Sequence, residues 1–229
     1  MIDVARADRI DGPLLVLKGF GGAAYGELVE VTSARGTHLG EVLMAGSDSA
    51  VVELWGDTTG LKAEELSVRF RGETLRLGVS REMLGRVFDG LGRPRDGLPP
   101  PVADATLDVN GAPLNPAART YPQDVIVTGL SAVDGLNTLV RGQKLPIFSG
   151  SGLPHDELAS QIALQARLSD EEEDFAVVFV ALGISHDTAA YFRERFRASG
   201  LLARTALFLN LADDPPMERI VTPRAALTL

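Results

Sequence analysis

Ser149-Gly-Ser-Gly-Leu-Pro-His-Asp156 is the stretch whose residue types come nearest to phosphate chemistry. A chain that grips a triphosphate uses G-x-x-x-x-G-K-[ST]. Backbone N–H groups and a helix N-terminus cradle the phosphates, the lysine reaches the β/γ positions, and the hydroxyl meets magnesium. Laid on this sequence, the pattern puts Ser149 at the first glycine, Pro154 at the second, His155 at the lysine and Asp156 at the hydroxyl residue. Gly150, Ser151 and Gly152 retain the Gly/Ser-rich turn. Proline supplies no N–H and cannot take the positive φ open to glycine. Histidine is mostly neutral at neutral pH and too short to replace a lysine ammonium. Asp156 suits the positive end of a helix dipole and repels a phosphate there. The expectation is a loop that keeps its shape and has lost its phosphate grip.

Such a loop works only between a strand and a helix. Leu145–Phe148 reads as the strand, and Asp156–Leu168 as the helix, with Leu158, Ile162 and Ala166 as its apolar positions. Thr128 to Leu139 contains a short helix. Phe175–Ala181 is a continuous apolar run suited to a strand buried on both faces. Asp187–Ser199 is helical, with Phe192 and Phe196 on one side and Gly200 as its stop, and Thr205–Leu209 is another buried strand. Alternation of this kind predicts an α/β class with a parallel sheet covered by helices. About three parallel strands are visible, fewer than such a sheet normally has, so the expectation is a truncated domain.

The first third has a different grain. Leu14–Leu17, Glu27–Val31, Leu39–Met44, Val51–Leu54, Leu66–Arg71 and Thr74–Leu77 read as short strands between Gly-, Asp- and Ser-containing turns. That spacing predicts an N-terminal all-β unit, a small closed barrel or a sandwich. The turn-rich stretches Gly90-Leu-Gly-Arg-Pro-Arg-Asp-Gly-Leu-Pro-Pro-Pro101 and Asn115-Pro-Ala-Ala-Arg119 read as a connector between the two parts.

Composition narrows the classes. With 229 residues, 45% hydrophobic and 23% charged, the chain is a globular protein of one large or two modest domains. A formal charge of −9 speaks against a nucleic-acid surface. Part of it sits in the run Asp170 to Asp174, which reads as a solvated loop. The absence of cysteine excludes disulfides and thiolate metal sites. The longest apolar run, Phe175 to Ile184, is about half what a bilayer span requires, and Met1-Ile-Asp-Val-Ala-Arg6 carries no signal peptide.

Other chemistry finds little footing. His38, His155 and His186 lie far apart without ligand spacing, so no metal site is expected. His155 has no orienting carboxylate beyond Asp156, which weakens it as a base. Asp213-Asp214, followed by Pro215-Pro216 and Glu218, reads as the cap of a following helix rather than a metal pair. There is no G-x-S-x-G elbow. Phe192 and Phe196 read as core, and Arg193, Arg195 and Arg197 as a solvated surface.

Several collinear segments resemble the B subunit of the V/A-type rotary ATPases and ATP synthases. They are Leu77-Gly-Val-Ser-Arg-Glu-Met-Leu-Gly-Arg86, Gly90-Leu-Gly-Arg-Pro-Arg-Asp-Gly97 and Pro113-Leu-Asn-Pro-Ala-Ala-Arg119. The strongest is Thr128-Gly-Leu-Ser-Ala-Val-Asp134, continued by Asn137 through Pro154; Leu207 through Pro215 and Glu218 through Leu227 complete the match. The resemblance implies an N-terminal β-barrel (1–78), a connector (79–124) and the first part of a RecA-like nucleotide-binding domain (125–229). It implies a non-catalytic, regulatory subunit that alternates with the catalytic A subunit in a hexamer on central and peripheral stalk subunits. ATP or ADP with magnesium would then sit at the interface with the catalytic subunit. The complex would couple ATP synthesis or hydrolysis to proton or sodium movement. The chain would be cytoplasmic, peripheral on the inner face of the cell membrane and without direct membrane insertion.

In catalytic relatives the strand after the loop ends in a Gly-Glu-Arg-like segment whose glutamate orients water. The matching stretch here is Ala181-Leu-Gly-Ile-Ser-His186, with Ile184 at the carboxylate position. An aliphatic side chain cannot polarise water. The arginine that a B subunit lends to its neighbour's ATP site lies, by the same resemblance, beyond Leu229. The rival reading, a catalytically active P-loop ATPase, needs a lysine at 155 and a glutamate at 184.

Overall fold

The computed structural model describes residues 4–168 and 175–229, so the acidic run Asp170 to Asp174 lies outside the described residues. Six strands come first: β1 (Val4–Asp11), β2 (Leu14–Lys18), β3 (Leu28–Ser33), β4 (Gly36–Ala45), β5 (Ser49–Leu54) and β6 (Ser67–Phe70). They close into an antiparallel barrel in the order β1-β2-β5-β4-β3-β6. Alternation drives the closure: Leu15, Leu17, Val29, Val31, Val42, Val52, Leu54 and Val68 all point inward and are fully buried. Register shifts between Ala7 and Arg9 and between Val42 and Met44 supply the extra local twist that closing a short barrel needs. Of the barrel and sandwich left open by strand spacing, the barrel forms. The spacing missed β1, whose Arg9, Asp8 and Asp11 break up the apolar pattern.

The strand read at Thr74–Leu77 does not join the barrel. β7 (Arg76–Val79) pairs instead with β9 (Ala105–Asp108) in a two-stranded ribbon. Between them, β8 (Val87–Phe88) runs parallel to the later strand Thr205–Leu211, so the connector supplies part of the parallel sheet. After β10 (Val125–Val127), α1 (Ser131–Leu136), β11 (Leu139–Val140), α2 (His155–Gln165) and β12 (Arg167–Leu168) come β13 (Val177–Ile184), α3 (His186–Ala198), β14 (Thr205–Leu211) and α4 (Glu218–Thr228). β10, β11 and β12 form a small antiparallel sheet, and β13-β14-β8 a parallel one.

Three expectations need correction. Leu145–Phe148 forms no strand: Phe148 is 93% exposed and Ile147 47%. Pro146 withdraws one ladder N–H, and among the described residues no strand lies alongside to pair the others. β13 is not buried on both faces either; Val178 is 38% and Leu182 41% exposed, because β13 is the edge of its sheet. The helix after the loop also stops earlier than its apolar spacing suggested, since Ala166 turns extended (φ −56, ψ 129) and the chain enters β12.

The packing that holds the sheet is well defined. Ser185 caps α3 by accepting from Thr188 N–H, and Gly200 (φ 76) ends the helix region in the left-handed conformation. Phe192 and Phe196 fall on the buried side of α3 and meet Phe179 of β13 at centroid distances of 4.7 and 5.0 Å. β14 is buried along its whole length. A second cluster joins barrel and sheet: Trp55 and Leu39 from the barrel pack with Phe88, Phe208, Val221 and Ala225.

Candidate functional site

The phosphate-loop positions are reached from two sides. Upstream, Asp134 of α1 accepts from Thr128 N–H (2.9 Å), Thr128 Oγ1–H (2.7 Å) and Gly129 N–H (3.0 Å). These bonds hold its carboxyl below the usual aspartate range. Gly129 must take φ +75, and a Cβ there would lie 2.2 Å from Gln165 Oε1 of α2. The turn that leads into α1 therefore lies against the far end of α2.

Downstream, Ser149, Gly150, Ser151, Gly152, Pro154 and His155 are all exposed, and Asp156 is half-buried. Only Gly152 takes a positive φ (+82). Pro154 (φ −78, ψ 58) precedes α2 and gives it no side-chain cap. His155 N–H donates to Leu153 O at 2.8 Å, and His155 Nδ1 lies 2.9 Å from the same oxygen. His155 Nε2 is 3.6 Å from Asp156 Oδ1. The first amide of the helix and the imidazole thus both turn back on the loop. Asp156 and Glu157 occupy the first turn of α2, where an incoming anion would meet two carboxylates.

Ile184, which the resemblance sets against the water-orienting glutamate, packs against the core under α3, and its carbonyl accepts from Ala212 N–H at 2.8 Å. Its side chain is a packing group. An open apolar groove of about 790 Å³ lies between α2 and the edge of β13, lined by Ile126, Ile162, Ala163, Val177 and Phe179. Among the described residues no three His, Asp or Glu side chains group as a metal site, and no helix is long and apolar enough to cross a membrane.

Asp213 and Asp214 do not cap α4, which begins after Met217 without any side-chain cap bond. They are drawn elsewhere. Asp214 receives Arg95 in a two-pronged ion pair (2.5 and 2.8 Å) and Leu211 N–H at 2.7 Å, tying the connector to the end of β14. Asp213 Oδ2 lies 3.0 Å from His186 Nε2, and this bond lowers the Asp213 pKa. Sequence spacing missed the His186–Asp213 pair. The signal was present: both residues follow strands that are hydrogen-bonded neighbours.

Barrel and parallel sheet, with a Gly/Ser-rich turn before α2, define the class. The nucleotide-binding domain of the ATP synthase alpha/beta family matches residues 129–229, and that family's beta-barrel domain matches residues 9–72. The chain belongs to the ATP synthase alpha/beta family. It is similar to the B subunit of the A-type ATP synthase of Methanopyrus kandleri, with 59% identity over 221 residues, 96% of this chain. The chain spans 22% of that relative's length.

Proposed function

We propose that this chain is the N-terminal part of a non-catalytic, regulatory B subunit of a rotary ATP synthase or ATPase. Its role is to complete the nucleotide site of a catalytic neighbour in an alternating hexamer. ATP or ADP with magnesium would sit at that interface, and the assembly would couple nucleotide turnover to proton or sodium transport. The head would lie on the cytoplasmic face of the membrane, carried by central and peripheral stalk subunits. Within this reading, residues 1–78 are the barrel, 79–124 the connector, and 125–229 the first part of the nucleotide-binding domain.

The observation that carries the reading is the sequence Pro154-His155-Asp156, with the His155 amide and ring both directed at Leu153 O. A loop that spends its first helical N–H on itself and carries an acid in place of the magnesium hydroxyl has no grip for β/γ-phosphates. The loop residues Ser149 to Asp156 accordingly serve as shape, and Ile184 as packing. Family membership and the similarity to a relative named as a B subunit support the same reading.

Co-expression of the full-length polypeptide with a catalytic subunit, followed by native mass measurement and magnesium-dependent ATPase assay, tests it. The expected result is a hetero-oligomer whose turnover survives His155→Ala in this chain. Loss of turnover on that substitution, with the assembly intact, would assign the chemistry here and defeat the proposal.

A further inference from the structure

On the outer face of the barrel, β4 and β5 set two carboxylates directly opposite each other. Glu41 and Glu53 are register partners in the antiparallel ladder, and each is 8% exposed. Like charges in that position repel. Trp55, two residues beyond Glu53 on the same face, packs with Val221, Ala225 and Ala226 of α4. The face bearing the two acids is therefore the face on which α4 docks.

The cation that meets the pair comes from α4. Arg224 Nη2 lies 3.2 Å from Glu41 Oε2, and Arg224 Nη1 donates to Asn110 Oδ1 at 2.6 Å. From β2, the residue opposite Glu53 is the apolar Leu14. One guanidinium thus faces two apposed, buried carboxylates. Burial first, and Glu41 second, push the Glu53 carboxyl above its ordinary value of 4.5; Trp55 and Arg224 pull it back. The Trp55 N–H makes no hydrogen bond of bonding geometry among the described residues, so its pull is a weak contact.

We propose that Glu41, Glu53 and Arg224 form a proton-responsive latch between the barrel and α4, one guanidinium serving two carboxylates, so that α4 docks more tightly when Glu53 is neutral. The proposal concerns the joint inside this chain and is independent of the nucleotide reading. Because the folded pKa of Glu53 is raised, the stabilisation is complete below 4.5 and is lost as pH rises through the folded value. Arg224 offsets part of the repulsion and cannot neutralise both acids at once.

Trp55 is the only tryptophan in the chain and is 3% exposed, so it reports the joint directly. Acrylamide quenching of Trp55 and hydrogen-exchange protection of α4 would be followed from pH 5 to 8, in an E218Q background that removes the other buried acid of α4. The reference chain should show quenching that rises, and α4 protection that falls, with pH. E53Q should abolish the slope and hold the low-pH values throughout. R224Q should raise quenching across the range. An E53Q variant that keeps the reference slope, or an R224Q variant with unchanged quenching and protection, would overturn the latch; far-ultraviolet circular dichroism at each pH separates undocking from global unfolding.

Discussion

Glu218 is the buried acid with the largest upward displacement, and replacing it with glutamine should stabilise the protein at neutral pH. It is 5% exposed, near Asp89, with Arg93 Nη2 3.2 Å from Oε1. Burial, then Asp89, raise its pKa from 4.5 to about 6, while Arg93 opposes the shift. Position at the start of α4 favours the anion through the helix dipole, but desolvation outweighs it. A raised folded pKa means that the contribution of Glu218 to stability is complete below 4.5 and disappears as pH rises through about 6. At roughly 1.4 kcal/mol per tenfold change in proton affinity, ionising Glu218 costs the fold about 2 kcal/mol above that range. Glu218→Gln keeps the volume and a hydrogen-bonding partner for Arg93 and removes the charge. Urea unfolding at pH 4.5, 6 and 8 should show the variant gaining about 2 kcal/mol on the parent between the lowest and highest pH. Parallel stability profiles for parent and variant would refute the reasoning.

Asp96 should behave in the opposite sense. Arg86 hydrogen bonds lower its pKa from 3.8 to about 2, so Asp96→Asn should cost about 2 kcal/mol at pH 7 and progressively less as pH falls through about 2, read by the same unfolding assay. Gly90→Ala would set a Cβ 2.5 Å from Thr222 Oγ1 and 3.1 Å from Glu218 Cβ, and should destabilise by about 1–3 kcal/mol; a change within error would mean the connector can shift away from α4. Restoring the loop with Pro154→Gly, His155→Lys and Asp156→Thr should raise ATP affinity in calorimetry without giving turnover, because Ile184 stays in the core. No gain in affinity would mean that the loop backbone itself no longer fits a phosphate chain.

The barrel was legible because inward and outward residues alternate along β2, β3 and β6. α3 and β14 were legible for the same kind of reason: Phe192 and Phe196 repeat at helical spacing, and β14 is apolar along most of its length. Leu145–Phe148 misled because apolar content marks a candidate strand and says nothing about whether a partner lies beside it. β8 was illegible for the converse reason, since two residues inside a turn-rich connector become a strand only through their neighbour β14. The residue types at the loop positions, Pro154, His155 and Asp156, stand in the sequence itself. The turning of His155 onto Leu153 O, the Asp214–Arg95 tie and the Glu41–Glu53 face required three dimensions, because each depends on contacts that sequence order does not display.

The most direct test is a magnesium-ATP titration followed by the backbone amide resonances of positions 150, 152 and 155. The triple loop substitution serves as the positive reference, in which these amides should shift and saturate. In the unsubstituted chain they should stay unmoved across the same concentrations, the His155 amide remaining bonded to Leu153 O. Saturable shifts at those amides at affinities matching the reference would show a triphosphate seated in the loop and contradict the account.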